Sequence, residues 1–496
     1  MIRALLKVGK WTIVIAVTFL FSLLAIRAWD SQRGAPLALW QTFVPHELTA
    51  AQIDATDWSG YLAAEDRVFQ EIRTEVSDKL EAPEQVTTNR YFEGSPIYPG
   101  HFAHDWNRSY VLEPVGTPIG AVVLLHGLTD SPYSLRDIAQ LYRDRGFVAI
   151  GLRLPGHGTV PAALTEVQWP DWLAATRLAM REARRRVGPL APIHMVGYSN
   201  GGALAVKYTL DACEHDELTK PTRLVLLSPM IGVTSTARFA GLAGLPALLP
   251  RFAKAAWLDL LPEYNPFKYN SFPVNAARQS YLVTDAIRNQ LTQLARAHQL
   301  AKLPPILTFQ SVVDDTVSAP AVIRTLYAQL PDNGSEIVLF DVNRSHRFDS
   351  LMRATSLQAL QRLLPSGAQR YRTIVIANAA ENDSHMVART IEPDQIKTTI
   401  TPLAIQYPDN IFSLSHIALP FPSNDPLYGT EPDDSENYGV RLGIQAPRGE
   451  RGALVLNLDA VLRITSNPFY LYVHDRIEEV IPPVQAPVKA IQGASR

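Results

Sequence analysis

The central part of the chain predicts an α/β fold with a mostly parallel sheet and helices on both of its faces. Short, continuous apolar runs, which are typical of strands buried on both sides, alternate there with helix-like segments. Each strand–helix–strand unit needs a crossover connection, and repeated crossovers make a sheet parallel. Of the 496 residues, 47% are hydrophobic and 19% are charged, so the chain can bury a large core and is not disordered.

The predicted elements follow one another along the chain as short, separate segments. Apolar runs predict strands over residues 121–125, 147–152, 193–196, 224–227, 306–309 and 336–340, and a β-rich run over 371–377. Helix-like patterns cover residues 135–145, 172–187 and 202–210, and Asp171 is a typical N-cap residue for the second of them. A further amphipathic helix is predicted over residues 61–80.

The first 30 residues predict a membrane anchor. Arg3, Lys7 and Lys10 precede an uncharged run over residues 11–26, which Arg27 closes. The run is near the shortest length that spans a bilayer. A basic flank stays in the cytoplasm, so the rest of the chain is expected on the exported side. A signal peptide cleaved after Ala28 is the alternative, and it would give a secreted protein.

The rest of the chain is expected to divide into an extension and one large domain. Residues 31–108 predict a tether and a helical N-terminal extension, and residues 109–496 the main domain. Within that domain, residues from about 230 to 300 interrupt the alternation of strands and helices. Their Leu, Ala and Gly content and repeated prolines predict a largely helical cap inserted between two core strands.

Composition excludes several classes of function. The formal net charge is −2, from 46 basic and 48 acidic residues, so no nucleic-acid partner is expected. Cys213 is the only cysteine, and the 12 histidines show neither H-x-x-x-H nor H-E-x-x-H spacing, so no metal site is proposed. No G-x-G-x-x-G opens a helix after a strand, and no cofactor is expected. Nothing in the sequence indicates an oligomeric state.

A G-x-S-x-G motif at residues 197–201 (GYSNG) predicts that Ser199 is a nucleophile. The motif follows a predicted strand and precedes a helix of small residues, which is the context of a nucleophile elbow. The glycines allow a strained turn that presents the hydroxyl above the sheet. The backbone N–H groups of Leu128 and Asn200 are the expected oxyanion hole, because two aimed donors stabilise charge that develops on the carbonyl oxygen.

Three segments resemble one branch of a known family. Residues 122–132 (VVLLHGLTDSP), 153–158 (RLPGHG) and 197–201 are similar to the monoacylglycerol lipase, lysophospholipase and carboxylesterase branch of α/β-hydrolases. The resemblance covers roughly residues 109–230 and 303–345. It implies the α/β-hydrolase fold, Ser199 as nucleophile, Leu128 as the oxyanion-hole residue and a structural role for His157.

The acid of a catalytic triad is expected after a late core strand. Residues 310–317 (QSVVDDTV) follow the predicted strand 306–309 and contain two adjacent carboxylates. The spacing in family relatives selects Asp314 over Asp315. A carboxylate there would hold the catalytic histidine in the correct tautomer and stabilise its imidazolium form.

Two histidines are candidates for the base. His346 has the usual spacing and chain order after Asp314, but Arg344 and Arg347 flank it and disfavour an imidazolium. His416 lies in FSLSH, a form that resembles bacterial exported or membrane-associated hydrolases in which an insertion precedes a Ser-His loop. We favour His416, with His346 as the alternative. Residues from about 346 to 410 would then be an insertion, and the following chain a C-terminal elaboration of the fold.

The sequence therefore predicts a serine hydrolase that cleaves carboxylic esters through an acyl-enzyme. Acyl lipids such as lysophospholipids or monoacylglycerols would suit an apolar cap next to a membrane. One alternative is a serine hydrolase that cleaves amides or peptides, as an aminopeptidase does, which would need an acidic pocket for a free amino terminus. The other is a non-catalytic, membrane-tethered binding module.

Overall fold

The computed structural model describes residues 2–33, 35–232, 244–344, 351–444 and 462–483. These residues form a ten-stranded sheet with the strand order β1-β3-β2-β4-β5-β8-β9-β10-β11-β12. The seven neighbouring strands β3, β2, β4, β5, β8, β9 and β10 are parallel to one another. At the edges of the sheet, β1 pairs antiparallel with β3, β11 with β10, and β12 with β11. The predicted mostly parallel sheet of an α/β-hydrolase is confirmed.

The sheet is built from short strands. They are β1 (Tyr110–Leu112), β2 (Gly120–Leu125), β3 (Phe147–Leu152), β4 (Ile193–Tyr198), β5 (Arg223–Leu227), β8 (Ile306–Ser311), β9 (Glu336–Phe340), β10 (Arg372–Asn378), β11 (His385–Ile391) and β12 (Thr398–Gln406). Two further short strands, β6 (Trp257–Asp259) and β7 (Phe272–Pro273), form a separate ribbon.

The α-helices lie between and beyond these strands. They are α1 (Ile2–Asp30), α2 (Leu39–Thr42), α3 (Ala50–Asp54), α4 (Trp58–Glu75), α5 (Arg136–Asp144), α6 (Trp169–Val187), α7 (Asn200–Glu214), α8 (Val274–Arg296), α9 (Ala354–Leu357), α10 (Ala359–Leu363) and α11 (Tyr470–Glu479). In the region predicted as a cap, the described residues form short 3-10 turns, the β6–β7 ribbon and α8.

The core has two layers because alternate residues of each strand point to opposite faces of the sheet. In β2, Val123 belongs to a buried apolar cluster that includes residues of α6, α7 and α8, whereas Val122 belongs to a second cluster, with residues of α5 and α11, on the other face. Every residue of β2, β3 and β4 is buried. The continuous apolar runs in the sequence reflect this burial on both faces.

Two details of the predicted helices were wrong. The amphipathic helix ends at Glu75 rather than at Leu80, and a 3-10 turn follows it at Ser77–Lys79. Asp171 is not an N-cap, because α6 begins two residues earlier and its N-cap is Gln168. The Asp171 carboxylate instead accepts a hydrogen bond from the Gln168 backbone N–H at 2.8 Å, as the third residue of a capping box does.

The N-terminal helix α1 is long and apolar enough to cross a membrane. An 18-residue window within Gly9–Asp30 has a mean hydropathy of 2.0, and none of that window is buried inside the protein. A signal sequence has the same length and composition. The end of α1 and the residues after it contact β6 and the segment before it. Arg27 donates to the carbonyl of Trp257, the first residue of β6, and Gln32 donates to the Arg251 carbonyl at 2.7 Å.

After β12 the chain returns over the carboxyl end of β9. Asn343, which follows β9, donates its backbone N–H to Phe412 and its side-chain amide to the carbonyl of Ile411, both at 2.9 Å. Farther on, the buried Asp425 accepts hydrogen bonds from Arg136 at 2.7 Å and from Tyr133 at 2.9 Å. The C-terminal region is thereby joined to the core at two places.

We expect Asp425→Ala to destabilise the protein by about 3 kcal/mol, because it removes the buried acceptor of both Arg136 and Tyr133. Arg136 keeps a second carboxylate, that of Asp137 at 3.2 Å, so the loss is that of the buried hydrogen bonds and not of every counter-ion. Both side chains are almost fully buried, at 4% exposure for Arg136 and 0% for Asp425. Thermal unfolding monitored by circular dichroism measures the effect. The matched control is Asp434→Ala in the same region, where the Asp434 carboxylate is 89% exposed and pairs with Arg441. Equal unfolding temperatures for the two variants would contradict this role of Asp425.

Candidate active site

Ser199 occupies a strained turn between β4 and α7. Its backbone dihedrals are φ 53° and ψ −113°, a conformation that residues with side chains rarely adopt. Hydrogen bonds on both sides hold the turn, because the Ser199 N–H donates to Leu227 at 3.0 Å and its carbonyl accepts from Met230 at 2.9 Å. The hydroxyl therefore lies at the carboxyl end of the sheet and at the N-terminus of α7, where the helix dipole favours negative charge.

The glycines around Ser199 are required by close contacts of the backbone. A Cβ on Gly201 would lie 1.9 Å from the carbonyl oxygen of Leu125, and one on Gly197 would lie 2.6 Å from the carbonyl oxygen of Gly201. Both distances are far below van der Waals contact with atoms that cannot move aside. The G-x-S-x-G pattern thus reflects the packing of the turn against β2.

Asp314 and His416 lie together at the carboxyl end of β8. The His416 Nδ1 is 2.8 Å from the Asp314 Oδ2, and the side chains are 4% and 0% exposed. The other Asp314 oxygen accepts the backbone N–H groups of Thr316 and Val317 at 2.9 and 3.0 Å. The adjacent Asp315 side chain is 89% exposed. Of the two neighbouring carboxylates, Asp314 is the one that contacts the histidine.

The surroundings of Asp314 keep it ionised. Burial raises the pKa of its carboxyl, but the neighbouring His416 and the hydrogen bonds that the carboxylate accepts outweigh burial and hold that pKa below its ordinary value. The contact to Nδ1 leaves Nε2 as the ring nitrogen available to a substrate or a nucleophile. A charged acid that orients a histidine in this way is the arrangement of a Ser-His-Asp triad.

The loop after β2 lies against Ser199. A Cβ on Gly127 would be 3.5 Å from the Ser199 Cβ, and Leu128 lines the same cavity as Ser199. His126 orders the loop, since its Nε2 accepts the Leu154 N–H at 3.1 Å while its Nδ1 contacts the Gly127 carbonyl at 2.8 Å. Burial lowers the pKa of His126 to about 3, so it is neutral and bonded to the backbone.

A cavity of about 320 Å³ opens above Ser199 and has both Ser199 and His416 in its wall. Part of its lining is apolar, from Leu128, Met230, Phe272, Ala277, Val317 and Ile417. Three charged side chains line it as well, namely Asp130, Lys268 and Arg463. The cavity therefore offers both an apolar surface and charged groups to a molecule that reaches Ser199.

The structure brings together most of the residues that the sequence singled out. Ser199, Leu128 and His416 line one cavity, Asp314 contacts His416, and Asn200 follows Ser199 at the start of α7. His346, the alternative base, lies outside the described residues. Sequence reasoning missed Lys268 and Arg463, which lie in the cap region and near the C-terminus and belong to no motif. Asp130 was quoted within a motif but was given no role.

One group of residues in the described part of the chain has the composition of a metal site. His474, Asp475 and Glu478 lie close together on α11. They do not line the cavity above Ser199, and Glu478 already pairs with Arg145. Nothing in their arrangement connects them to the chemistry of Ser199.

The fold, the nucleophile elbow and the Asp–His pair define an α/β-hydrolase. A model of the alpha/beta hydrolase family matches residues 122–392, more than half of the chain, and the chain belongs to that family. The predicted resemblance to its lipase and esterase branch is confirmed by a curated relative. The chain is 29% identical over 228 residues to the thermostable monoacylglycerol lipase of Bacillus sp. (strain H-257), across 45% of this chain and 80% of that protein.

Solved structures with partial similarity include two lipases. One is a soluble variant of the monoglyceride lipase of Saccharomyces cerevisiae, with 14% identity and a TM-score of 0.35, covering 47% of this chain and 81% of that one. The other is the monoacylglycerol lipase of Paleococcus ferrophilus, with 17% identity and a TM-score of 0.34, covering 47% of this chain and 86% of that one.

We expect Gly201→Ala to disrupt the turn that carries Ser199, because the new methyl group would overlap the Leu125 backbone. Overpacking a tight core typically lowers the free energy of unfolding by about 1–3 kcal/mol. Because the overlapped atoms belong to the backbone and cannot move aside, we expect a loss at the upper end of that range. The control is Gly367→Ala, since a Cβ at Gly367 meets nothing within 4 Å. Thermal unfolding of the two variants makes the comparison, and an unchanged melting temperature for Gly201→Ala would contradict the packing described here.

Proposed function

We propose that the protein is a serine hydrolase that cleaves carboxylic esters through an acyl-enzyme on Ser199. The observation that carries the proposal is that the strained Ser199 and His416 line one cavity, while the Nδ1 of His416 is bonded to Asp314. Membership of the α/β-hydrolase family and the similarity to a monoacylglycerol lipase support the same reaction.

The proposed reaction runs in two halves. The Ser199 Oγ attacks the ester carbonyl while the Nε2 of His416 takes the hydroxyl proton, and Asp314 stabilises the imidazolium that results. The backbone N–H groups of Leu128 and Asn200 stabilise the oxyanion. His416 then gives its proton to the leaving alcohol. Water, activated by His416, attacks the acyl-enzyme, releases the carboxylic acid and restores Ser199.

Acyl lipids are the substrate class that the cavity supports. Its apolar wall, formed by residues such as Met230, Phe272 and Val317, would cover an acyl chain next to Ser199. Burial of each CH₂ group contributes about 0.8 kcal/mol, so even a short chain gains several kcal/mol there. Lysophospholipids and monoacylglycerols both present a single acyl chain on an ester, and both belong to the proposed class.

Cleavage of amides at a free amino terminus has less support. Such an activity requires carboxylates that bind an ammonium group, and the described part of the cavity carries Asp130 together with the two cations Lys268 and Arg463. Burial raises the pKa of Asp130 to about 6, so its carboxylate is mostly ionised at neutral pH, but it stands against two cations. A cationic ligand would be repelled rather than selected.

We expect Ser199→Ala and His416→Ala to lower the kcat for p-nitrophenyl butyrate by about 10⁴-fold or more, because the triad acts as a unit. Asp314→Asn should cost about 10³- to 10⁴-fold by leaving the ring of His416 in the wrong tautomer. Steady-state hydrolysis by purified variants, each checked for folding by circular dichroism, measures the losses.

His385→Ala is the matched control, and His346→Ala tests the alternative base. The His385 side chain is 67% exposed and bonded to Asp383 on the surface, so its replacement should leave turnover unchanged. Loss of turnover in His346→Ala with full activity in His416→Ala would transfer the role of base to His346. Undiminished labelling of Ser199→Ala by a fluorophosphonate would remove Ser199 as the nucleophile.

We further propose that α1 anchors the protein in a membrane and that the catalytic domain, residues 109–496, lies on the exported side. The support is the apolar, unburied stretch over Gly9–Asp30 and the basic residues that precede it. Because Arg27 bonds to the start of β6 and Gln32 to the segment before it, the cap region would lie close to the bilayer surface. A lipid substrate would then have a short path to Ser199.

For the protein expressed in bacteria, we expect the full chain to remain in the membrane fraction after washing with alkaline carbonate. A variant that lacks residues 1–30 should be released, because the apolar helix alone holds the chain in the bilayer. The intact mass of the membrane-bound protein tests cleavage directly. A mature chain that begins at Trp29 would contradict the anchor and favour a secreted protein.

A further inference from the structure

Two cationic side chains share the cavity of Ser199 and His416. Lys268, from the loop between β6 and β7, and Arg463, from the segment before α11, both line its wall. They come from distant parts of the chain and have no role in the triad. The formal net charge of the whole chain is −2. The two positive charges beside Ser199 are therefore a local feature of this cavity and do not follow from the overall composition.

The backbone around Lys268 is firmly held. On one side, the buried Phe267 stacks on Tyr133 with 4.1 Å between ring centroids. On the other, the Tyr269 N–H donates to the Thr129 carbonyl at 2.8 Å, and the Tyr269 hydroxyl accepts the Thr159 N–H at 2.7 Å. Lys268 is therefore presented to the cavity from a rigid segment, as a binding group must be.

Lys268 has no close counter-ion among the described residues. No ion pair within 4 Å and no hydrogen bond joins its ammonium group to another residue in that part of the chain. Burial lowers the pKa of Lys268 while the charge of Asp130 opposes this effect. Asp130 is itself committed to the backbone, since it accepts the Ser131 N–H at 2.9 Å.

Arg463 is only loosely paired. It donates to the Thr316 hydroxyl at 3.2 Å and lies 3.9 Å from the carboxylate of Asp315, whose side chain is 89% exposed. An ion pair of this kind contributes little, and a guanidinium has five N–H donors. Among the described residues, these are the only partners of its guanidinium.

We propose that Lys268 and Arg463 form an anion-binding subsite beside Ser199, so that acyl esters carrying a carboxylate or a phosphate are preferred over neutral esters. The inference rests on the proposed ester hydrolysis and narrows its substrate class. Two partly desolvated cations repel each other, and an anion between them would replace that repulsion with charge-assisted hydrogen bonds. One carboxylate, Asp130, does not neutralise both.

The anionic group has two possible sources on an ester. It belongs either to the acyl part, as in a dicarboxylic acid monoester, or to the leaving alcohol, as in the phosphate of a lysophospholipid. Two matched substrate pairs separate them. The first is p-nitrophenyl hemisuccinate against p-nitrophenyl butyrate, and the second is a lysophosphatidylglycerol against the monoacylglycerol with the same acyl chain.

The experiment measures kcat/KM for both pairs with the full-length protein and four variants. In at least one pair the wild type should favour the anionic substrate, and Lys268→Met should lower the ratio of anionic to neutral kcat/KM by about tenfold or more. Arg463→Met should lower it as well, and Lys268→Arg should restore much of it. The control Lys397→Met removes an exposed lysine outside the cavity and should leave the ratio at the wild-type value.

A binding measurement separates failure of this inference from failure of the proposed function. Titration of octyl phosphate into Ser199→Ala, with and without Lys268→Met, should show at least a tenfold weaker Kd in the double variant. Equal binding, or a substrate ratio that Lys268→Met leaves unchanged, overturns the subsite even where neutral esters are hydrolysed. If no ester is turned over, the proposed hydrolysis fails, and the octyl phosphate titration still decides whether the subsite exists.

Discussion

The 2.8 Å contact between His416 and Asp314 constrains the whole C-terminal part of the molecule. Asp314 follows β8 in the middle of the sheet, whereas the chain continues through β9, β10, β11 and β12 to the sheet edge before it reaches His416. The chain must therefore return across the carboxyl ends of the strands. The bonds of Asn343 to residues 411 and 412 hold that return path, and the buried pair of Asp425 with Arg136 holds the loop that follows.

The turn at Ser199 shows how the core supports a strained conformation. A residue at φ 53° and ψ −113° is unfavourable by itself, so surrounding contacts must determine it. Here β2, β4 and β5 surround the turn, and close packing excludes a side chain at Gly201. Because those strands are buried on both faces, the turn has no room to relax. The position of Ser199 at the carboxyl end of the sheet is thus a consequence of sheet packing.

The charges in the cavity have a different origin. Asp130 follows the loop after β2, Lys268 lies in the cap region and Arg463 lies near the C-terminus, so three separate segments contribute. In a partly desolvated site each charge has a stronger effect than at the surface, because the effective dielectric constant is lower. The near-neutral net charge of the whole chain gives no information about such a site, because a net charge does not record where the charged residues lie in the structure.

Local patterns in the sequence predicted the parallel sheet and the turn at Ser199, because burial on both faces and a tight turn each restrict residue types over a few neighbouring positions. The choice of Asp314 over Asp315 came from the resemblance to family relatives. The N-cap of α6 is Gln168 rather than Asp171, which shows the limit of such patterns, since several residues can cap one helix. Tertiary structure alone decided that His416 contacts Asp314 and that Lys268 and Arg463 reach the same cavity. These contacts join residues far apart in the chain, and their geometry depends on how the sheet, the cap and the C-terminal region pack together.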